Sequence, residues 1–363
     1  MKKGDIIHGY RILEDFSVAG GMSTISFAER GGKQYFIKEF LAPKYPVPGS
    51  PGSDKIKAQK KKACEEFEQH QRKINSLIAS KVSLGGNLIY AVDFFREGAF
   101  YYKINEKIDT ASLSPKEISS LPFEKITIIA RSVCKSIGIL HDIQIVHGDL
   151  KPDNILIKET SKENYTGKLI DFDDSYFSEK PPASKLIVGT PEYYSPELGL
   201  YITEKDSEFP GKELTLASDI FTLGIIFSEY FTGEKPITGT SFPTWQAVIK
   251  GCPISFSKTI DPLVADLIKS MLSAKPQDRP TIKKIQQKLR EIKEGRITSS
   301  HSGPVLDKKS TTKVRIRIGK GLEHKTKTPL SSDIHDKKEP TSEPKKDKGK
   351  VGIRGRGLKI ADK

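Results

Sequence analysis

H-G-D-L-K-P-D-N-I-L-I, residues 147–157, gathers two Asp, a Lys, an Asn and a Pro into one short stretch. An apolar run from Ile143 to Val146 leads in, and Ile155 to Ile157 lead out. Apolar segments on both sides pin such a loop to a core. The loop can then hold a carboxylate, an ammonium and an amide at fixed separations. Phosphoryl transfer uses that set: a carboxylate to orient a hydroxyl, a cation near the moving phosphate, and an amide oxygen for a metal ion. A polar β-turn between two strands would have the same composition. The motifs that fall in order before and after the stretch decide against it.

At 363 residues the chain has room for about two domains or lobes, at roughly 150 residues each. With 36% hydrophobic and 29% charged residues it can build a sizeable core. The net charge of +14 is uneven. From Glu294 onward there are 19 Lys and Arg against 9 Asp and Glu, while residues 1–293 carry 41 against 37. The body is therefore ordinary and the tail strongly basic. The three cysteines, Cys64, Cys134 and Cys252, are far apart and odd in number. That argues against a disulfide framework or zinc knuckle and for a reducing compartment. The first ten residues, M-K-K-G-D-I-I-H-G-Y, lack the apolar segment of a signal peptide. No run reaches the ~18 apolar residues of a membrane-spanning helix. The expected location is the cytoplasm.

The 147–157 stretch resembles the catalytic loop of the eukaryotic-type Ser/Thr protein kinases, H-R-D-L-K-x-x-N, at five of its six fixed positions. The style of the loops is that of the bacterial members. The resemblance implies that Asp149 is the catalytic base, that Lys151 steadies the transferring phosphate, and that Asn154 binds a magnesium ion. Gly148 stands where many members have Arg, which usually gathers a phosphate on the activation segment. Activation through Ser175, Ser178 or Ser184 is then not expected.

Other motifs follow the same order as in that family. A hairpin, V-A-G-G-M-S-T-I at residues 18–25, has small residues that let backbone N–H groups approach phosphate oxygens. Aligned with the glycine loop, Gly20 keeps the middle glycine, Gly21 adds freedom, and Ser23 takes the last position. Y-F-I-K, residues 35–38, aligns with the strand whose lysine anchors ATP, so Lys38 would hold the α- and β-phosphates. Phe36 stands where the family usually has Ala. Residues 42–62 read as a Pro-, Gly- and Lys-rich loop. A helix over about 61–80 follows, with Phe67, Ile74, Leu77 and Ile78 on its buried face. The family's helix supplies a Glu to the strand lysine. Here the register puts His70 at that place and Glu66 one turn earlier, so Glu66 is the expected partner and His70 its rival. Glu106 falls near the hinge, with Asn105 before it.

Beyond the catalytic loop, Asp171 lies 22 residues after Asp149 in D-F-D, aligned with the D-F-G metal motif. It would be the second magnesium ligand. Asp173 replaces the glycine and adds negative charge. G-T-P-E-Y-Y-S-P-E, residues 189–197, resembles the family's G-T-x-x-Y-x-A-P-E. Thr190 would sit near Asp149 and, with Lys151, favour Ser/Thr over Tyr. Glu197 should pair with Arg279, and Asp219 should brace the catalytic loop.

The resemblance implies an α+β, two-lobed protein kinase fold: an antiparallel β-sheet N-lobe at 1–107 and a mostly helical C-lobe at 108–293. A basic tail, expected to be disordered, occupies 294–363. The implied function is transfer of the ATP γ-phosphate, with Mg2+, to Ser or Thr of a protein substrate, including the chain itself. The basic runs of the tail read first as a solvated, flexible extension, with binding to an acidic protein or nucleic acid as the alternative. A second reading keeps the fold without turnover, as a pseudokinase scaffold. The altered glycine loop, His70 and Asp173 support it; the retention of Lys38, Asp149, Asn154 and Asp171 supports the enzyme.

Overall fold

The structure is a computed structural model that describes residues 1–18, 23–81, 87–108, 112–161, 164–203, 211–258 and 260–301. The described residues all fall within one compact unit, Met1–Val305, and residues 306–363 lie outside the described residues.

The N-lobe is one antiparallel sheet of seven strands. These are β1 (Ile6–Ile7), β2 (Tyr10–Ile12), β3 (Ser17–Val18), β4 (Ser23–Arg30), β5 (Lys33–Phe40), β6 (Ala91–Glu97) and β7 (Phe100–Glu106). Their order is β1-β2-β4-β5-β7-β6, with β3 on the free part of β4. The register sets Lys38 on β5 between Ile25 on β4 and Lys103 on β7. Ile12, Ala28, Ile37, Tyr102 and Ile104 close the small core on one side of this sheet.

The other side carries α1 (Asp54–Lys81), whose buried positions are Cys64, Gln71, Ile74 and Ile78. Phe67 and Leu77 are half-buried rather than central. The helix starts well before the expected residue 61. Pro and Gly end at Gly52, Ser53 caps the Ile56 N–H with its hydroxyl at 3.4 Å, and Asp54 sits in the first turn. The lysine run 55–62 is thus helix and not loop, as the good helix propensity of Lys, Ala and Gln allows.

The C-lobe begins with α2 (Pro115–Ile118) and α3 (Phe123–Asp142). Ile126, Ile129, Ala130, Val133, Ile137 and Leu140 fall at helical spacing on α3 and are all buried. Each large one removed from water contributes about 1.5–3 kcal/mol. Next come β8 (Ile145–Val146), β9 (Ile155–Ser161), β10 (Asn164–Leu169) and β11 (Tyr176–Phe177). β9 pairs with β10 and β11 with β8, both antiparallel. The lobe is completed by α4 (Pro196–Thr203), α5 (Ala217–Thr232), α6 (Thr244–Ile249), α7 (Pro262–Met271) and α8 (Ile282–His301). α5 is buried along nearly its whole length and ends at Gly233, which caps it at φ 89°. α8 continues past residue 293, where the sequence suggested a boundary. Among the described residues no helix is long and apolar enough to cross a membrane. All three cysteines are free thiols.

Candidate active site

Both flanks of the polar loop are core. Ile145, Val146, Ile155 and Ile157 are buried, which fixes the two ends of residues 147–154. Asp219, on α5, then braces the entry. Its carboxylate accepts the His147 N–H at 2.9 Å and His141 Nε2 at 3.1 Å. His147 Nε2 donates to the Ile170 carbonyl at 3.1 Å, which ties the loop to the start of the D-F-D segment.

Within the loop the expected groups converge. Asp149 Oδ2 accepts from Lys151 Nζ at 2.7 Å and from Asn154 Nδ2 at 3.2 Å. The Asn154 amide also donates to the Asp149 carbonyl at 2.7 Å. That amide nitrogen is committed to Asp149, so the amide oxygen is the group left for a hard cation. Thr190 Oγ1 stands 3.1 Å from Lys151 Nζ and 3.5 Å from Asp149 Oδ1. The Asp149 side chain is 13% exposed, so it keeps a route to solvent or substrate.

Gly148 is required by its backbone. It adopts φ 85°, and a Cβ there would lie 2.1 Å from the Asp174 carbonyl oxygen. An Arg at this position would therefore displace the start of the activation segment. Ser175 is buried, and its hydroxyl donates to the His147 carbonyl at 2.9 Å. Gly148→Ala should cost about 3 kcal/mol, from positive-φ strain plus the overlap. A urea midpoint equal to the wild type's would refute this.

Lys38 meets its acids on the D-F-D segment. Its Nζ lies 3.0 Å from Asp171 Oδ2 and 2.5 Å from Asp173 Oδ2. Asp173 also pairs with Lys103 Nζ, which in turn donates to Gln71 Oε1 at 2.8 Å. Gln71 Nε2 donates to the Asp173 carbonyl at 3.0 Å. Burial opposes the charge of Lys38, but the Asp173 and Asp171 carboxylates outweigh it and its pKa is raised. Burial likewise opposes the charge of Asp173, yet Lys103 and Lys38 hold its pKa below the usual range. For Asp171, burial and then Asp173 raise the pKa against the pull of Lys38. Asp174 is pushed up to about 7 by burial and by the charges of Asp173, Asp149 and Asp171.

Lys38 is paired by Asp171 and Asp173, and not by the expected Glu66 or its rival His70. Glu66 is 67% exposed and lies 3.9 Å from Lys62 on its own helix. Glu65 and Glu68 likewise pair with Lys61 and Arg72. His70 donates from Nε2 to the Ser175 carbonyl at 2.7 Å and does not serve Lys38. The inward stripe of α1 falls on Gln71, one residue past His70. Glu106 is 55% exposed and pairs with Lys33 at 2.5 Å. Ser23 opens β4 and is buried opposite Phe40. Gly20 and Gly21 lie outside the described residues. Phe36 packs edge-on against Phe27, with centroids 6.2 Å apart.

Two residues of the cluster, Lys103 and Gln71, were not foreseen. One signal was present: a lysine inside F-Y-Y-K-I-N-E, a strand whose two faces are both covered. A lysine there needs an acid, and Asp173 was the unassigned one.

Further down, Glu197 and Arg279 form a two-pronged pair, with both Nη–Oε distances 2.7 Å. The two side chains are 1% and 0% exposed. Ser218 donates to the same carboxylate at 2.7 Å. Arg279 also donates to the carbonyls of Ser273, Ala217 and Ala274, so all five of its N–H groups are used.

For a metal ion, the donors available are the Asp171 carboxylate and the Asn154 amide oxygen. Among the described residues no three His, Cys, Asp or Glu converge as a metal cluster. That donor set suits a magnesium ion, which binds through one or two protein oxygens and takes the rest from water and substrate phosphates.

Comparison with known proteins accords with this geometry. The family described as the protein kinase domain matches residues 53–289. A serine/threonine-protein kinase of Saccharomyces cerevisiae is 29% identical over 62% of this chain and 30% of its own length. Serine/threonine-protein kinase A of Synechocystis is 28% identical over 62% of this chain and 46% of its own. A serine/threonine-protein kinase of Streptomyces coelicolor is 28% identical over 58% of this chain and 37% of its own. The chain thus spans less than half the length of each of these three relatives.

Proposed function

The chain belongs to the protein kinase family, and from that premise we propose that it moves the γ-phosphate of ATP to Ser or Thr hydroxyls of a protein substrate, its own chain included. The observation that carries this reading is the Asp149 carboxylate, held between Lys151 and Asn154 with Thr190 alongside and still partly exposed.

Asp149 accepts the hydroxyl proton and aligns the oxygen. Lys151 sets its ammonium against the moving phosphate. Lys38 holds the α- and β-phosphates, and Asn154 and Asp171 would hold Mg2+. When bound, magnesium neutralises the charge that develops on the phosphates. Gly20, Gly21 and Ser23 serve the nucleotide phosphates, and Glu106 borders the adenine. Thr190 shapes the platform for a Ser or Thr. The protein's contribution is positioning and electrostatics. The lobes divide at residue 107. The basic tail from 294 recruits an acidic protein or nucleic acid, and free thiols suit the cytoplasm.

The test is transfer of label from ATP and magnesium to the full chain, with the sites mapped. Label on Ser or Thr in the wild type and not in Asp149→Asn supports the reading. Label on Tyr, or equal label in both, sinks it. Segment phosphorylation is not needed to order these groups, because Ser175 is already tied to His147. Changing Ser178 and Ser184 together to Ala should retain at least about half the activity; a fall to background would show that a phosphate is required.

A further inference from the structure

Lys38 has two carboxylates beside it, and both come from one loop. Asp171 is the residue assigned to the metal ion, and a carboxylate that holds a cation has less to give an ammonium. Asp173 has no such second task. Its side chain is 10% exposed and reaches both Lys38 and Lys103. α1 brings no acid to this point. Its Glu65, Glu66 and Glu68 are spent on their own helix, and Gln71 faces the cluster with an amide.

We propose that Asp173 is the positioning residue that holds Lys38 against the nucleotide phosphates, in place of an acid on α1. Lys103 is the buried counter-cation that lets two carboxylates share this site. Gln71 completes the shell by accepting from Lys103 and donating to the Asp173 backbone. This inference rests on the kinase reading of the site.

A purely structural role for Asp173 would be to neutralise Lys103 and nothing more. The two roles part when Lys103 is removed as well. If Asp173 only neutralises Lys103, then losing both charges should restore the site. If Asp173 holds Lys38, the loss should persist.

The experiment compares Lys103→Met with Lys103→Met/Asp173→Asn in the full chain. The double variant buries neither stray charge, so folding is not the variable, and thermal unfolding checks it. The affinity for ATP with magnesium is read by titration calorimetry, and the KM for ATP and kcat by label transfer. The double variant should bind ATP about tenfold more weakly than Lys103→Met, with the loss seen chiefly in KM. In a Lys38→Met/Lys103→Met background, adding Asp173→Asn should cost no further affinity, since the group it positions is gone and no buried ammonium is stranded. Equal affinity of Lys103→Met and the double variant would overturn the proposal, as would a further tenfold loss in the Lys38→Met/Lys103→Met background. Calorimetry decides this even if the wild type transfers no label, an outcome that would instead remove the kinase reading.

Discussion

An Asp149→Asn chain should transfer phosphate about a thousandfold more slowly than the wild type, while folding as well. The size follows from the loss of a positioned proton acceptor, which is worth about 10²–10⁴ in rate. The substitution keeps the shape. One side-chain oxygen remains to accept from Asn154, and the backbone carbonyl still accepts its 2.7 Å bond. What is lost is the charge that faces the hydroxyl proton and that holds Lys151 at 2.7 Å. ATP affinity should change little, because Lys38, the residue proposed to hold the phosphates, lies in a separate cluster with Asp171 and Asp173. A rate within tenfold of the wild type would mean that Asp149 is not the base.

Arg279→Met should destabilise the chain by about 4 kcal/mol. Met replaces the aliphatic stem and leaves the guanidinium's place empty, but the larger cost is electrostatic. It is Glu197, left as a carboxylate in the core with only Ser218 to donate to it. Three backbone carbonyls, of Ser273, Ala217 and Ala274, lose a donor in the same step. Since domains of this kind are stable by about 5–15 kcal/mol in total, the urea midpoint should fall sharply. Removing both partners, as Arg279→Met with Glu197→Leu, should cost less than removing Arg279 alone, because no stranded charge remains. If the double variant is the less stable one, the pair is stabilising in itself.

Much of the site could be read in the sequence because it sits on short, stiff connections. The loop 147–154 is bounded by buried apolar residues on both sides, so spacing along the chain translates into distance in space. Asp149, Lys151 and Asn154 come together for that reason. The partner of Lys38 was not legible, because it depends on the rotation of α1. One residue of register moves the inward position from His70 to Gln71, and the half-buried Phe67 and Leu77 blurred the stripe. The start of α1 was hidden by the Pro- and Gly-rich stretch before it, whose character was carried too far into a lysine run. The need for Gly148 could not be read either. It comes from a carbonyl 26 residues away in the chain, at Asp174, which only the folded loop brings near.

The cluster around Asp173 also makes substitution at this pair one-way. A lysine at 103 without a carboxylate at 173 is a bare ammonium in the interior, and such a protein folds poorly. A carboxylate at 173 without Lys103 still has Lys38, with its ammonium 2.5 Å away. Lys103 can therefore be replaced first and Asp173 second, and not in the other order.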